Sequence, residues 1–259
     1  MNNVNKTLYI PLYGKSYVSS LGIIIQDKKA EEIWNKHSIP LKGKSKSKWL
    51  AYFMSMRACV FDQWVKDQVA KYPDSIVLHL GCGLDSRILR THLDIPWYDI
   101  DFHDVIEERK LHFQQTANYK MLSGDLREKS WLANIPCHNH VIVVMEGVSM
   151  YLSHEELKQL FMNLDQHFES ISLMMDCYSI KAAKLSKRKN PIHDVGVYNV
   201  YGIDNPELYQ TDTFHYVNEH DMTPVHLIDE LKGMERKIFQ SLYAGHFSKS
   251  LYKIYEYKK

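Results

Sequence analysis

The sequence has little net charge and no long apolar run, and each of these absences excludes a class of protein. Its 259 residues include 32 Lys and Arg and 31 Asp and Glu, so the formal net charge is +1. This balance creates no basic field that would attract nucleic acid. No stretch approaches the roughly 18 consecutive apolar residues of a membrane span, and the N-terminal residues show no signal-peptide pattern. We therefore expect neither a nucleic-acid partner nor a membrane.

Cysteine is also scarce, and its spacing indicates neither a disulfide framework nor a metal site. The four cysteines are far apart and form no C-x-x-C pair; they are Cys59, Cys82, Cys137 and Cys177. Reduced thiols in a cytoplasmic protein are the simpler interpretation. The polar cluster at residues 137–140 (CHNH) has no second cluster to complete a ligand set, so no metal is predicted.

From Ser75 onward the sequence alternates regularly between apolar runs and helical patterns. Two segments before it, residues 16–38 and 47–71, have helical spacing. The predicted strands lie at residues 75–81, 96–101, 119–126, 139–147 and 170–178. Strands that alternate with helices form a parallel sheet with helices on both faces. With a closing C-terminal hairpin, this predicts an α/β fold with a doubly wound, mostly parallel, seven-stranded sheet.

The chain is predicted to form one domain, residues 1–259, with four parts. These are an N-terminal helical cap (1–72), a core (73–177), a lid inserted after strand five (178–220) and a C-terminal helix and hairpin (221–259). The lid segment is basic and rich in tyrosine, which breaks the strand–helix pattern. Within the last part, residues 236–259 alternate as in an antiparallel hairpin.

The segment GCGLDS, residues 81–86, follows the first predicted strand. Gly81 and Gly83 permit backbone conformations that a Cβ would forbid, and the helix that follows presents free N–H groups. Asp99 and Asp101 lie 18 and 20 residues after Gly81, where a ribose-binding carboxylate is expected. The spacing therefore predicts a nucleoside site at the carboxyl ends of the first two strands.

The same turn discriminates between two nucleoside cofactors. A dinucleotide pyrophosphate would prefer glycine or alanine at the sixth position of the turn, where this sequence has Ser86. Asp85, one residue earlier, would place a negative charge beside the phosphates. A ligand with a ribose but no phosphates fits better, which favours S-adenosylmethionine over NAD.

Four motifs follow one another along the predicted core: VLHLGCGLDSR (77–87), WYDIDFHDVIEERK (97–110), GDLR (124–127) and VVMEGVSMYL (143–152). In this order and spacing they resemble the leucine carboxyl methyltransferase family, whose bacterial branch is described as O-methyltransferases related to polyketide biosynthesis. The resemblance covers residues 14–177 well and the C-terminal third in outline. It implies a class I S-adenosylmethionine-dependent methyltransferase with a Rossmann-like fold.

For the adenosine part of the cofactor, the resemblance implies four positions. Asp101, helped by Asp99, would accept hydrogen bonds from the ribose hydroxyls. Asp125 would accept a hydrogen bond from the adenine amino group, and the backbone N–H of Leu126 would donate to the ring.

For the methionine part, Gly81 and Gly83 would pass beneath the cofactor. Arg57 in RACVFD (57–62), and more loosely Lys15 in YGKSY, would pair with the cofactor carboxylate, since a guanidinium binds a carboxylate with two N–H groups.

The resemblance also places Glu146 and Gly147 near the amino or sulfonium end of the cofactor, and Tyr151 in the reaction chamber. No residue in the sequence stands out as a general base. A carboxylate, with a pKa of about 4, is already ionised and needs none, whereas a phenol, with a pKa of about 10, would benefit from one. The predicted acceptor is therefore a carboxylate of a small molecule, with a hydroxyl as the second choice, and a protein C-terminal carboxylate stays open as an alternative.

Two other functions remain open at the level of sequence. An NAD-dependent oxidoreductase would use the same glycine turn, against the indications of Asp85 and Ser86. A non-catalytic S-adenosylmethionine-binding module would keep the nucleoside site and lack an acceptor site. A serine hydrolase is not favoured, because EGVSM (146–150) lacks the second glycine of a G-x-S-x-G elbow.

Overall fold

The computed structural model of the chain describes residues 5–36, 41, 43–186 and 199–259. Part of the predicted lid, residues 187–198, and the last two residues of the first predicted helix lie outside the described residues. No helix in the described ranges is long and apolar enough to cross a membrane.

A sheet of seven strands runs through the centre of the described part of the molecule. The strands are β1 (Ser75–Leu80), β2 (Trp97–Asp101), β3 (Tyr119–Ser123), β4 (His140–Met145), β5 (Ile171–Tyr178), β6 (His215–His220) and β7 (Tyr252–Lys258). Their order is β3-β2-β1-β4-β5-β7-β6. Neighbours among the first five pair in parallel, whereas β7 is antiparallel to both β5 and β6. The predicted doubly wound, mostly parallel, seven-stranded sheet is confirmed.

Helices cover both faces of this sheet. The α-helices are α1 (Tyr9–Ser20), α2 (Lys28–Lys36), α3 (Lys48–Lys71), α4 (Arg87–Thr91), α5 (His103–Lys110), α6 (His154–His167), α7 (Ile180–Ser186), α8 (Val225–Ile228), α9 (Gly233–Leu242) and α10 (His246–Lys249). Short 3₁₀ helices lie at Asn5–Leu8, Gly43–Lys46, Ser130–Asn134, Ser149–Tyr151 and Pro206–Tyr209. The start of α6 has a capping box formed by Ser153 and Glu156, with both reciprocal hydrogen bonds present.

The core consists of two apolar layers, one on each face of the sheet. Every residue of β1 and of β4 is buried, as expected for central parallel strands covered on both sides. Because side chains alternate along a strand, Val77 packs in the layer with Phe61 of α3, whereas Leu78 packs in the layer with Phe161 of α6. Each such fully buried side chain stabilises the fold by about 1.5–3 kcal/mol.

The first predicted helix, residues 16–38, is wrong as a single element. It is two helices, α1 and α2, and α1 begins earlier, at Tyr9. The chain turns between them, where Gly22 and Ile24 both have positive φ values of 68° and 60°. Ile24 and Ile25 lie in this irregular segment and are nevertheless buried. Their apolar side chains therefore continue the helical spacing in the sequence through a turn that is not helical.

The predicted C-terminal hairpin is also wrong in its partner strand. Residues 236–249 contribute to helices α9 and α10, and only β7 in this region is a strand. Its antiparallel partners are β5 and β6, and β6 lies inside the segment predicted as a lid. Alternation of apolar residues identified β7 correctly, but a strand's partner depends on tertiary packing, which a local pattern does not contain.

Candidate active site

A cavity of about 710 Å³ lies at the carboxyl ends of the parallel strands. Its floor is built by the segments that follow β1 to β4, and its cover includes Lys15 of α1 and Arg57 of α3. Parallel sheets bind ligands at this edge, beside the point where the strand order reverses, here between β1 and β4. The volume is that of a small-molecule site.

The glycine turn after β1 has the backbone conformation that the sequence predicts. Gly81 and Gly83 line the cavity with φ values of 67° and 52°. A Cβ on Gly81 would lie 2.3 Å from Cγ2 of Val148, so a larger residue has no room there. The turn therefore needs glycine at Gly81 for two reasons, backbone conformation and close approach.

Asp101 lies at the end of β2, directly against this turn. Its Oδ2 accepts a hydrogen bond from the backbone N–H of Gly83 at 2.8 Å, and its Oδ1 accepts one from the N–H of Phe102 at 2.7 Å. Burial raises the pKa of Asp101 to about 6, although these two N–H groups favour the ionised form. Asp101 lines the cavity, as its predicted role requires.

Asp99, predicted to assist Asp101, does not line the cavity. It is fully buried, and it accepts hydrogen bonds from Trp97 Nε1 at 2.9 Å and from Tyr119 Oη at 2.5 Å. Arg109 donates to it through Nε at 2.8 Å, and His79 Nδ1 lies 3.2 Å away. The structure therefore gives Asp99 internal partners in place of the predicted ribose contact, because it lies two residues deeper in β2.

Two predicted adenine contacts, Asp125 and Leu126, lie in the segment that follows β3, and both line the cavity. Asp125 is partly exposed, and its carboxylate accepts hydrogen bonds from Arg127 Nε at 2.8 and 3.0 Å. Leu126 is buried in the core layer that contains Ile100. The same segment includes Gly124, where a Cβ added by substitution would lie 2.7 Å from the Cβ of Trp131.

Glu146 and Gly147 follow β4 and meet Arg57 at the cavity wall. Arg57 Nε donates to Glu146 Oε1 at 3.0 Å, and Arg57 Nη1 donates to Asp176 Oδ2 at 2.7 Å. Although burial opposes ionisation, the charges of Arg57 and Arg87 lower the pKa of Glu146 to about 2. Gly147 has a φ of 74°, and its N–H donates to Asp176 Oδ1 at 2.6 Å.

Lys15 also reaches the cavity, where its Nζ donates to Asp85 Oδ1 at 2.7 Å. Arg90 of α4 donates to the same oxygen at 2.6 Å. Burial raises the pKa of Asp85, but the charges of Arg90, Lys15 and Arg87 outweigh it and hold that pKa well below its ordinary value. Asp85, whose negative charge disfavours a phosphate at the turn, is therefore ionised and is shared between these cations.

The opposite side of the cavity is aromatic. Phe53 and Tyr252 stack with ring centroids 5.9 Å apart, and Tyr178 lies 4.8 Å from Tyr252. Tyr151, the predicted reaction-chamber residue, also lines the cavity, and burial raises its pKa. This side of the cavity is therefore lined by aromatic rings, against which a second ligand can pack.

Several residues of the site were missed from the sequence, and Asp176 and Tyr252 are the clearest. Asp176 is fully buried in β5, and Tyr252 Oη donates to its Oδ2 at 2.6 Å. The only local signal was an acid at the end of the apolar run SISLMM, residues 170–175. Arg87, which donates to Asp62 at 2.7 Å and also to Glu146, likewise shows its role only in the fold.

Metal ligation has no visible basis in this cavity. Within residues 5–36, 41, 43–186 and 199–259, no three His, Cys, Asp or Glu side chains are grouped to hold an ion. Every cation that lines the cavity in those ranges is paired with a carboxylate; they are Lys15, Arg57 and Arg127.

Comparison with known proteins places this geometry in a family. The leucine carboxyl methyltransferase family model matches residues 10–165, and the chain belongs to this family. The chain is 30% identical over 162 residues to the tetracenomycin polyketide synthesis O-methyltransferase TcmP of Streptomyces glaucescens, covering 61% of this chain and 59% of that protein. It is also 30% identical over 135 residues to the S-adenosyl-L-methionine-dependent methyltransferase dpfgK of Gibberella zeae, covering 48% and 45%. The chain thus spans less than two thirds of the length of either relative.

Solved structures agree on the fold. The magnesium protoporphyrin IX methyltransferase of Synechocystis PCC 6803, solved with bound SAH, superposes with a TM-score of 0.52 at 12% identity. The match covers 95% of this chain and 97% of that one. An S-adenosylmethionine-dependent methyltransferase from Anabaena variabilis has a TM-score of 0.51 at 14% identity, covering 80% and 91%. The Rossmann-like methyltransferase fold is therefore confirmed.

Proposed function

We propose that this protein is an S-adenosylmethionine-dependent O-methyltransferase that acts on a small molecule. The observation that carries the proposal is the hydrogen bond between the N–H of Gly83 and Asp101 Oδ2. It holds a carboxylate at the end of β2 beside a glycine turn whose backbone is open to the cavity, as a ribose site requires.

The residues present suit the cofactor. Gly81, Gly83 and Gly147 leave space along the floor that a Cβ would reduce. In our proposal Asp101 accepts hydrogen bonds from the ribose hydroxyls, and Asp125 and Leu126 receive the adenine. When bound, S-adenosylmethionine supplies an electrophilic methyl group, and the protein supplies alignment and exclusion of water.

Charge supports the same cofactor at the methionine end. The described lining of the cavity has four carboxylates, Asp85, Asp101, Asp125 and Glu146, against the three paired cations. S-adenosylmethionine carries one more positive than negative charge, so an excess of carboxylate favours it. Arg57 is already paired with Glu146, and Lys15 with Asp85. Either cation would therefore bind the cofactor carboxylate in addition to its protein partner.

NAD-dependent oxidation is the weaker alternative. A pyrophosphate at the glycine turn would lie near the ionised Asp85, and the nearby cations Lys15 and Arg90 are already bound to that residue.

A cytoplasmic location is part of the proposal, since all four cysteines are free thiols. The sequence favours a carboxylate acceptor, with a hydroxyl acceptor as the second class.

Calorimetric titration with S-adenosylmethionine, S-adenosylhomocysteine and NAD tests the proposal. We expect micromolar binding of the first two and none of NAD. Asp101→Asn should weaken that binding about 10- to 100-fold, since hydrogen bonds to a charged group are lost. Asp67→Asn makes the same chemical change on an exposed face of α3, where Asp67 accepts a hydrogen bond from Gln63, and should leave binding unchanged. Binding of NAD alone would overturn the proposal.

A further inference from the structure

Tyr252 and Asp176 form a buried hydrogen-bonded pair at the aromatic side of the cavity. Tyr252 Oη donates to Asp176 Oδ2 at 2.6 Å, and Arg57 Nη1 donates to Tyr252 Oη at 2.6 Å. Tyr252 lines the cavity, whereas Asp176 lies behind it, with no exposed surface. A phenolic oxygen that donates once and accepts once retains a lone pair for a further donor.

From this geometry we infer that the Tyr252–Asp176 pair takes the proton of a hydroxyl acceptor. The inference rests on the proposed function and names its acceptor class as a phenol or alcohol, in place of the carboxylate that the sequence favours. Tyr252 is the catalytic residue, because it touches the acceptor oxygen. Asp176 is the residue that ultimately holds the proton.

The position of the pair supports this role. Asp176 Oδ1 accepts the N–H of Gly147, at 2.6 Å, and Arg57 joins the pair to Glu146. Both Gly147 and Glu146 belong to the proposed methionine end of the cofactor site. The pair therefore lies between that end and the aromatic wall of Phe53 and Tyr178, where an acceptor would bind.

The transfer balances in atoms and electrons. As the acceptor oxygen forms its bond to the methyl carbon, the carbon–sulfur bond breaks and its electron pair stays on sulfur. The O–H bond of the acceptor breaks at the same time, with its electrons left on oxygen. The proton passes to Tyr252 Oη, and the proton of Tyr252 passes to Asp176 Oδ2.

Burial makes Asp176 a suitable final site for the proton. Burial raises the pKa of Asp176, although Arg57 and Tyr252 favour its ionised form. A carboxylate with a raised pKa is the better proton acceptor. Glu146, which also acts on Asp176, disfavours a second negative charge nearby and so assists protonation.

The pair accounts for what the sequence lacked. No general base was visible along the chain, because Asp176 and Tyr252 are separated by 76 positions and meet only where β5 pairs with β7. A carboxylate acceptor, already ionised, has no proton to transfer. A hydroxyl acceptor does, so the two acceptor classes differ in their need for Tyr252.

The test uses three matched pairs of aromatic probes. The hydroxyl probes are phenol, 2-naphthol and 2-hydroxyanthraquinone, and the carboxylate probes are benzoate, 2-naphthoate and anthraquinone-2-carboxylate. Methyl transfer from S-adenosylmethionine is measured with the full chain and with Tyr252→Phe, which keeps the ring. We expect transfer to a hydroxyl probe, with kcat lowered at least about 100-fold by Tyr252→Phe. S-adenosylmethionine affinity should be retained.

A binding readout accompanies the rates. With S-adenosylhomocysteine present, the full chain should bind the preferred hydroxyl probe about tenfold more tightly than the hydrocarbon lacking the hydroxyl, and Tyr252→Phe should lose this preference. Tyr257→Phe is the matched control. It removes another buried hydroxyl from β7, one that donates to Pro206 O at 2.9 Å outside the cavity lining. It should change neither readout.

Two results would overturn the inference. One is the absence of transfer to every hydroxyl probe, whether or not a carboxylate is accepted. The other is equal loss of rate for hydroxyl and carboxylate probes in Tyr252→Phe, which indicates a structural role. Failure of the full chain to bind S-adenosylmethionine would instead contradict the proposed function, and calorimetry distinguishes that case.

Discussion

The N–H of Gly83 and Oδ2 of Asp101 are 2.8 Å apart, and this hydrogen bond joins the ends of β1 and β2 at the cavity floor. It brings the glycine turn and the acid-bearing strand together at the cavity, where both Gly83 and Asp101 are lining residues. Burial, in turn, raises the pKa of this carboxylate to about 6.

The affinity for S-adenosylhomocysteine should therefore depend on pH through Asp101. Ribose hydroxyls donate to the ionised carboxylate, so binding favours ionisation and lowers the pKa of Asp101 in the complex. As the pH falls below about 6, the free protein takes up a proton that binding must displace, and affinity should be about tenfold weaker at pH 5 than at pH 7. Calorimetry across this range measures the effect. Asp101→Asn should abolish the slope, and a flat profile in the unaltered protein would contradict the assignment.

Gly81→Ala should impair both folding and cofactor binding. It adds a Cβ 2.3 Å from Val148 Cγ2 at a φ of 67°. Gly22→Ala is the matched control, because Gly22 has a φ of 68° and nothing within 4 Å of the added Cβ. We expect about 1–3 kcal/mol of destabilisation from the backbone in both variants, and further destabilisation with lost binding only in Gly81→Ala. Urea denaturation measures the first quantity, and equal values in the two variants would contradict the close approach.

Replacing the second residue of this contact should relieve part of the damage. In Gly81→Ala with Val148→Ala, the steric contact disappears while the positive φ remains. The double variant should therefore be destabilised only about as much as Gly22→Ala, because the backbone strain remains and the steric overlap is gone. A double variant no more stable than Gly81→Ala would mean that the overlap with Val148 does not limit the turn.

Arg57→Met should strongly destabilise the protein. It leaves Glu146 and Asp176 buried without their shared cation, and loss of one partner from a buried ion pair costs about 3–5 kcal/mol. Arg57→Lys should lose less, since it keeps the charge and gives up the three-sided hydrogen bonding of the guanidinium. Denaturant unfolding measures both. An unchanged free energy of unfolding in Arg57→Met would show that the carboxylates take up protons at little cost.

Asp99→Asn should lower stability in a pH-dependent way. Arg109 and the hydrogen-bond donors around Asp99 outweigh burial and lower its pKa from 3.8 to about 2. An acid with a lowered pKa stabilises the fold above its unfolded pKa, and this contribution is lost as the pH falls through the folded value. The shift corresponds to about 2 kcal/mol, present at pH 7 and lost between pH 4 and 2. Unfolding of both proteins across this range tests it, with convergence expected at the acid end.

The affinity of Asp99→Asn for S-adenosylhomocysteine separates the two acids of the motif. Asp99 does not line the cavity, so the folded variant should keep its affinity, whereas Asp101→Asn should weaken binding about 10- to 100-fold. Loss of binding in folded Asp99→Asn would restore the predicted ribose role of Asp99.

The sequence by itself determined the sheet and the glycine turn. Apolar runs alternating with helical patterns require a parallel sheet, because each run must be buried on both faces. Gly81, Gly83 and Asp101 follow from the chemistry of a nucleoside site at strand ends, and Ser153 with Glu156 from local capping. These features depend on residues near one another in the chain, so a local pattern contains them.

Tertiary structure alone decided which acids face the cavity and which support the fold. Asp99 and Asp101 share one face of β2, as residues two apart in a strand do, and only depth below the strand end separates them. Likewise, Tyr252 meets Asp176 through the pairing of β7 with β5, and β6 is the strand that covers the edge of β7. Such contacts join distant parts of the chain, and they are selected by the packing of the whole molecule rather than by any single segment.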